Sequence, residues 1–222
     1  MRGQSSRTAL RILISIMWGV GVSRSAKVFP IPFRCAGRCA GISRRIGRNF
    51  CYFVAATRAM KDLLLPYASF HAWANGLLLD ALRPLPPATL DQEIVSSFPS
   101  LRRTVLHMLD AESIWWQRLQ LQERIVRPSE VFEGDFNALA GSLQGLDQQW
   151  LQWVQKATAP QLVHEFIYLD LKRQPQKSMV AHVLQHLFNH GTYHRGQLVT
   201  MMRQAGATTI PNTDFIAWTR KK

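Results

Sequence analysis

Between residues 62 and 204, apolar side chains recur at every third or fourth position in four stretches, separated by proline-rich, glycine-rich or polar breaks. That spacing marks one face of an α-helix. A helix with a single apolar face must bury it against another element. Four such helices in succession, with no extended strand pattern of comparable length, have only one another to pack on. The expected class is therefore all-α, and the economical architecture is a four-helix bundle.

The first helix is expected over 62–82, with Leu64, Tyr67, Phe70, Trp73, Leu77 and Ala81 on its stripe and Pro84, Pro86 and Pro87 ending it. Pro66 fits only in or near the first turn, where amide donors have no intrahelical partner. A second helix is expected over 100–121 with Ser100 as its N-cap, a third over 136–157, and a fourth over 178–204 that stops at Gly206. Between the last two, the β-branched and aromatic stretch 166–171 reads as a strand or an extended connection. A tail follows, with Pro211 and the segment from Thr213 to Trp218.

The charge is not spread evenly. Residues 1–59 hold 11 basic and no acidic side chains, so they carry most of the formal +13, whereas the rest has 16 basic and 14 acidic groups. The apolar run in that segment, from Ile12 to Val22, has only 11 residues and is too short to cross a bilayer. With Arg2, Arg7 and Arg11 before it, the segment imitates a secretory or organellar leader, although Arg24 interrupts the small residues of a cleavage region. Cys35, Cys39 and Cys51 lack a neighbouring His and do not make a four-ligand zinc set. Three cysteines are also too few for a disulfide scaffold. Met60 opens the first patterned helix. The expected organisation is thus a poorly structured basic extension over 1–59, a targeting segment or sequence upstream of the true start, followed by a bundle over 60–222. No membrane span is expected, and nucleic acid is not an expected partner, because the bundle itself carries no basic stripe.

The histidines carry the chemical signal. His182, His186, His190 and His194 lie four residues apart, and on a helix such neighbours share a face with Cβ atoms about 5–6 Å apart. Each step drifts about 40° around the axis, so a neighbouring pair can share a metal ion and all four cannot. The third imidazole would come from another helix, where His107 stands three residues before Asp110. Three imidazoles leave a coordination position open, which is the pattern of catalytic metals. His71, His164 and His182 read as core or boundary residues. Gly191 and Gly196, which weaken a helix interior, would be tolerated where a backbone or ligand approaches closely. Asn189, Tyr193, Arg195 and Gln197 interleave with the histidines and could orient them, a solvated helix face being the plainer reading, especially for Arg195.

The segment Phe188 to Leu198, with Asn189-His190 and His194-Arg195-Gly196-Gln197, resembles the hallmark of the DinB superfamily of damage-inducible, YfiT-like metalloenzymes. Three other stretches share the resemblance: Trp73-Ala74-Asn75 in the opening helix, His107 with Ala111-Glu112 and Trp115 in the second, and the ending Thr213 to Trp218. The resemblance covers about residues 60–218, and residues 1–59 have no counterpart in it. It implies an up-down-down-up four-helix bundle, commonly a homodimer, with a divalent metal on a histidine triad. By motif position the ligands are His107, His190 and His194, with a His186–His190 pair as the minority alternative. Zinc is the first expectation, with nickel, iron or manganese also compatible with imidazole.

The implied function is a metal-dependent cytoplasmic enzyme acting on a small-molecule substrate. The metal would activate water or a low-molecular-weight thiol, giving a hydrolase or a thiol S-transferase. Trp73, Trp115 and Tyr193 are candidate pocket residues, with core packing the plainer role for each Trp. Asp110 and Glu112 are candidate bases, with a supporting or surface role expected first. The competing reading is a non-catalytic metal-binding stress-response or interaction protein.

Overall fold

The structure is a computed structural model that describes residues 44–170 and 172–220, with side chains from residue 58 onward. The described residues belong to one compact unit, Ile42–Lys222. Their elements run in the order α1 (Arg44–Leu82), α2 (Pro87–Asp91), α3 (Leu101–Leu119), α4 (Pro128–Val131), α5 (Phe136–Lys156), α6 (Ala159–Val163), β1 (Glu165–Leu169), β2 (Pro175–Met179), α7 (Val180–Gln204) and α8 (Phe215–Thr219). The fold is mostly helical, with a single two-stranded sheet among the described residues.

Four helices are long: α1 with 39 residues, α3 with 19, α5 with 21 and α7 with 25. Each of α1 and α3 packs on both α5 and α7. Leu78, Leu82, Leu101, Val105, Leu143 and Leu184, drawn from all four, are essentially inaccessible to solvent. Burying side chains of this size stabilises by about 1.5–3 kcal/mol each relative to exposure. On α1 the surface that meets the other long helices falls on Leu64, Leu78 and Leu82, whereas Tyr67 of the expected stripe is exposed and Leu77 and Ala81 are half-buried.

Local chemistry sets the ends of these helices. Ser100 is extended (φ −156°) and its Oγ accepts from the Arg103 amide at 3.2 Å, while Asp135 Oδ1 accepts from the Ala138 amide at 2.8 Å. Each bond satisfies an amide that the helix itself cannot. Gly206 follows α7 at φ +86°, a conformation that costs glycine little and other residues much.

One expectation about the elements needs correction. The first helix does not begin near residue 62. It runs unbroken from Arg44, so residues 44–59 are helical rather than poorly structured, and Pro66 sits inside the helix. A proline there removes one backbone hydrogen bond, a loss that the surrounding helix tolerates. Residues 1–43, with Cys35, Cys39 and the apolar run, lie outside the described residues, as does the side chain of Cys51.

The stretch over 166–171, expected as a strand or an extended connection, is a strand, and it forms half of a hairpin. β1 pairs antiparallel with β2 in a register that sets Glu165 against Met179 and Leu169 against Pro175. Asp170 Oδ1 accepts from the amides of Lys172 and Gln174 at 2.8 and 2.9 Å, organising a turn in which Arg173 takes a positive φ of 59°. The polar sequence of β2, Pro-Gln-Lys-Ser-Met, hid its partner strand. The hairpin sends the chain straight into α7 and sets the Tyr168 ring edge-on against Trp115. The C-terminal tail ends in α8, whose Phe215 and Trp218 pack on Phe70 and Ala74 of α1.

Candidate metal centre

His107 projects from α3 and His190 and His194 from α7, two helices in direct contact. Their Nε2 atoms converge: His190 Nε2 lies 3.2 Å from His107 Nε2 and 3.0 Å from His194 Nε2. The three rings lie 4.3–5.1 Å apart between centroids. A four-residue step on one helix brings two of them together. The third arrives only because α3 and α7 pack in one register.

The arrangement presents lone pairs rather than charges. Burial holds all three imidazoles below the ordinary histidine range. For His190, burial and then the neighbouring histidines push the pKa down to about 3. At neutral pH three uncharged rings face one another. Gln197 settles the tautomer of one of them. Its Nε2 donates to Ser97 Oγ at 2.7 Å, which leaves its Oε1 to accept from His194 Nδ1, also at 2.7 Å. His194 Nε2 is then the unprotonated nitrogen, its lone pair free to bind a metal ion. Phe98 stacks on the opposite ring, 3.9 Å from the His107 centroid.

This donor set fits a divalent ion. Imidazoles at about 2.0–2.1 Å around a tetrahedral ion would stand about 3.3 Å from one another. The two Nε2 separations above, 3.2 and 3.0 Å, are close to that spacing.

Other sequence candidates sit elsewhere. His186 is one turn back on α7, its ring 5.8 Å from that of His190 and 5.7 Å from Trp115, outside the converging set. Asp110 accepts from the Ser129 amide at 2.8 Å and ties down the start of α4. Trp73 packs with Phe70 in the second apolar cluster. Tyr193 is 59% exposed and lies edge-on to His194, with ring centroids 5.0 Å apart. His164 and His182 are exposed surface residues, not core ones, and Asn189 is exposed as well.

For Glu112 and Arg195 the surface alternative is excluded. Both are only 3% exposed and belong to a polar cluster inside the bundle. His71 Nε2 lies 2.8 Å from Glu112 Oε1 and 3.2 Å from Asp147 Oδ1. Asn75 Nδ2 donates to Asp147 Oδ1 at 2.9 Å, and Arg195 Nη1 donates to Asn75 Oδ1 at 2.9 Å. One residue or more from each long helix takes part. Burial opposes a charge on His71, but the Glu112 and Asp147 carboxylates outweigh it and raise the pKa to about 9. Burial and the Glu112 charge push Asp147 up to about 7, and burial draws Arg195 down to about 10. His71, Glu112 and Asp147 also bring their ligand atoms within 4.8 Å of one another, so this group too could hold a cation. Here the proton on His71 already supplies positive charge between the carboxylates. Glu112 Oε2 is the one buried carboxylate oxygen of the cluster without a hydrogen-bond partner.

Asn75 and Asp147 were missed as interior polar residues, yet a signal existed. Asn75 lies on the stripe of Leu78 and Leu82, and Asp147 on that of Leu143, Trp150 and Val154. A polar residue on an apolar stripe must find a partner inside.

The sequence that builds this geometry has counterparts among known proteins. The model of the DinB family matches residues 60–221. The protein called DinB from Bacillus subtilis (strain 168) is 28% identical over 165 residues, which cover 70% of this chain and 93% of that protein.

Proposed function

We propose, given that the chain belongs to the DinB family, that His107, His190 and His194 hold a divalent metal ion in an enzyme active site. One observation carries this reading: three neutral imidazoles from two helices direct their Nε2 atoms at one point. When bound, the ion supplies Lewis acidity, which makes a water or a low-molecular-weight thiol nucleophilic near neutral pH. The reaction type is hydrolysis or thiol S-transfer on a small-molecule substrate. Zinc suits the donor set best, and nickel, iron or manganese are the alternatives.

The chain's own residues have distinct tasks in this reading. Gln197 keeps His194 in the tautomer that ligates, and Phe98 shields the outer face of His107 from water. The cluster around His71 fixes the rotation of α7 through Arg195, one residue beyond His194. The up-down-down-up course of the four helices, a homodimer and a cytoplasmic location belong to the same proposal. No described helix is long and apolar enough to cross a membrane.

A second reading is a metal-binding stress-response or interaction protein without catalysis. It is favoured by the engagement of the two candidate bases elsewhere, Asp110 with Ser129 and Glu112 with His71. Elemental analysis of the untagged full chain, with a screen of thiols and hydrolysable esters, separates the two. The enzyme reading expects about one divalent ion per chain and turnover that stops when a chelator removes it. Metal without turnover would leave the second reading, and protein that neither contains nor takes up metal would overturn both.

A further inference from the structure

Between α7 and the segment that precedes α3 lies a cavity of about 310 Å³, lined by Ser96, Tyr193, Gly196, Gln197, Thr200 and Gln204 among others. Two of these residues touch the triad: Gln197 through its bond to His194 Nδ1, and Tyr193 through its ring. The volume lies at the lower end of the range for small-molecule sites.

Gly196 is the informative residue. Glycine weakens a helix interior, so two of them in α7 call for a reason. At Gly191 the protein supplies one, because a Cβ there would run into the His71 ring. At Gly196 a Cβ would meet nothing within 4 Å. No described atom of the chain needs that space, and the bare backbone opens onto the cavity.

The lining has a consistent chemistry. It offers the carboxamides of Gln197 and Gln204 and the hydroxyls of Ser96, Thr200 and Tyr193, with Val95 and Met201 as the apolar part. No Lys, Arg, Asp or Glu lines it, so a carboxylate, phosphate or ammonium placed there would gain no counter-charge. A second cavity of about 300 Å³, walled by Leu109, Val126, Val131 and Phe132, is almost wholly apolar; neither cavity is lined by a triad histidine, and the first adjoins the triad through Gln197 and Tyr193.

We propose that the cavity beside Gly196 is a substrate subsite for an uncharged hydrogen-bonding group, a carboxamide or polyol, on the molecule whose reacting end meets the triad. The proposal rests on the metal reading above for the position of that reacting end. Gly196 leaves the room and Gln204 gives and accepts hydrogen bonds, while Gln197, whose Nε2 already donates to Ser97 Oγ and the Tyr193 hydroxyl, offers the second lone pair of Oε1 and couples the occupant to His194.

The test uses the full chain and three probes: N-acetylcysteine amide, N-acetylcysteine, which has a carboxylate in place of one amide, and N-acetylglycinamide, which has no sulfur. Binding is followed by NMR shifts of the Gln197 and Gln204 side-chain amides. With zinc present, the amide thiol is expected to bind at least about fivefold more tightly than the acid. Gly196→Leu, which fills the cavity, is expected to weaken the amide at least about tenfold, with zinc content unchanged and the melting temperature not lowered. N-acetylglycinamide is expected to shift the same two amides in wild-type protein with or without zinc. Should it do so in protein that binds no zinc, the metal reading falls and the subsite stands. Undiminished binding to Gly196→Leu, or equal binding of acid and amide, would overturn the subsite. So would a dimer that Gly196→Leu converts to monomer, since the occupant would then be a second copy of the chain.

Discussion

The imidazole of His71 occupies the space above Gly191 that a side chain on α7 would otherwise fill, 2.8 Å from where a Cβ would stand to the ring's Nδ1. The two residues are 120 positions apart in the chain, and their contact seats α7 on α1 one residue from His190.

The two glycines of α7 should respond to alanine with opposite signs. Gly191→Ala forces His71 out of its ion pairs and is expected to cost about 1–3 kcal/mol through overpacking. Gly196→Ala meets no obstacle and is expected to gain up to about 1 kcal/mol of helix stability. Urea unfolding of both variants measures the difference. A neutral or stabilising Gly191→Ala would show that the close approach to His71 is unimportant.

Metal affinity should follow the converging Nε2 atoms. Alanine at His107, His190 or His194 is expected to abolish retention of zinc through desalting, whereas His186→Ala leaves it intact. Gln197→Ala keeps all three ligands but frees the His194 tautomer, and is expected to lower affinity by about 10–100-fold. Competition with a chromogenic chelator reads these values. Loss of zinc in His186→Ala, with retention in His107→Ala, would move the site to the His186–His190 pair.

Stability should fall on the alkaline side. The folded pKa of His71, about 9, exceeds its ordinary 6.5, so the folded state holds this proton more tightly than the unfolded chain. Its contribution is complete below pH 6.5, shrinks between pH 6.5 and 9, and is gone above that; at most it amounts to about 3 kcal/mol. Asp147, raised to about 7, acts in the same direction at lower pH, between its ordinary 3.8 and 7. Melting curves of metal-free protein from pH 6 to 9.5 should slope downward, and the slope should flatten in His71→Gln. An identical slope in that variant would remove His71 as the cause.

Removing the buried cation should be expensive. Arg195→Met deletes the hydrogen bonds to Asn75 and Thr192 and leaves the carboxylates of Glu112 and Asp147 with less positive charge. A loss of about 3–5 kcal/mol is expected, as when one partner of a buried ion pair is removed. Calorimetric unfolding checks it. A change within about 0.5 kcal/mol, typical of exposed positions, would return Arg195 to the surface.

How far the sequence reaches can be seen from individual residues. Ser100 and Gly206 mark helix ends within a residue or two of where they occur, because caps depend on neighbours in the chain. The His190–His194 pair was legible for the same reason, since a step of four on a helix is a local distance. β2 was not, because its side chains are polar and only its pairing with β1 makes it a strand. Residues 44–59 were read as lying outside the fold for lack of an apolar stripe, yet they continue α1.

Arg195 shows the boundary most clearly. Its own helix offers one acceptor, Thr192 Oγ1, and otherwise the same reason to face water as any arginine; Asn75, Asp147 and Glu112, arriving from three other helices, offset the rest of the cost of burial. What the chain determines alone is where helices form, which face is apolar and which histidines share a turn, since these follow from backbone geometry repeated over a few residues. Which polar groups meet across the bundle, that His107 joins His190 and His194, and that Gly196 faces open space while Gly191 faces His71 were decided by the packing of α1, α3, α5 and α7. Those meetings depend on the rotation and register of each helix against the others, and these are set only when all the apolar faces are buried together.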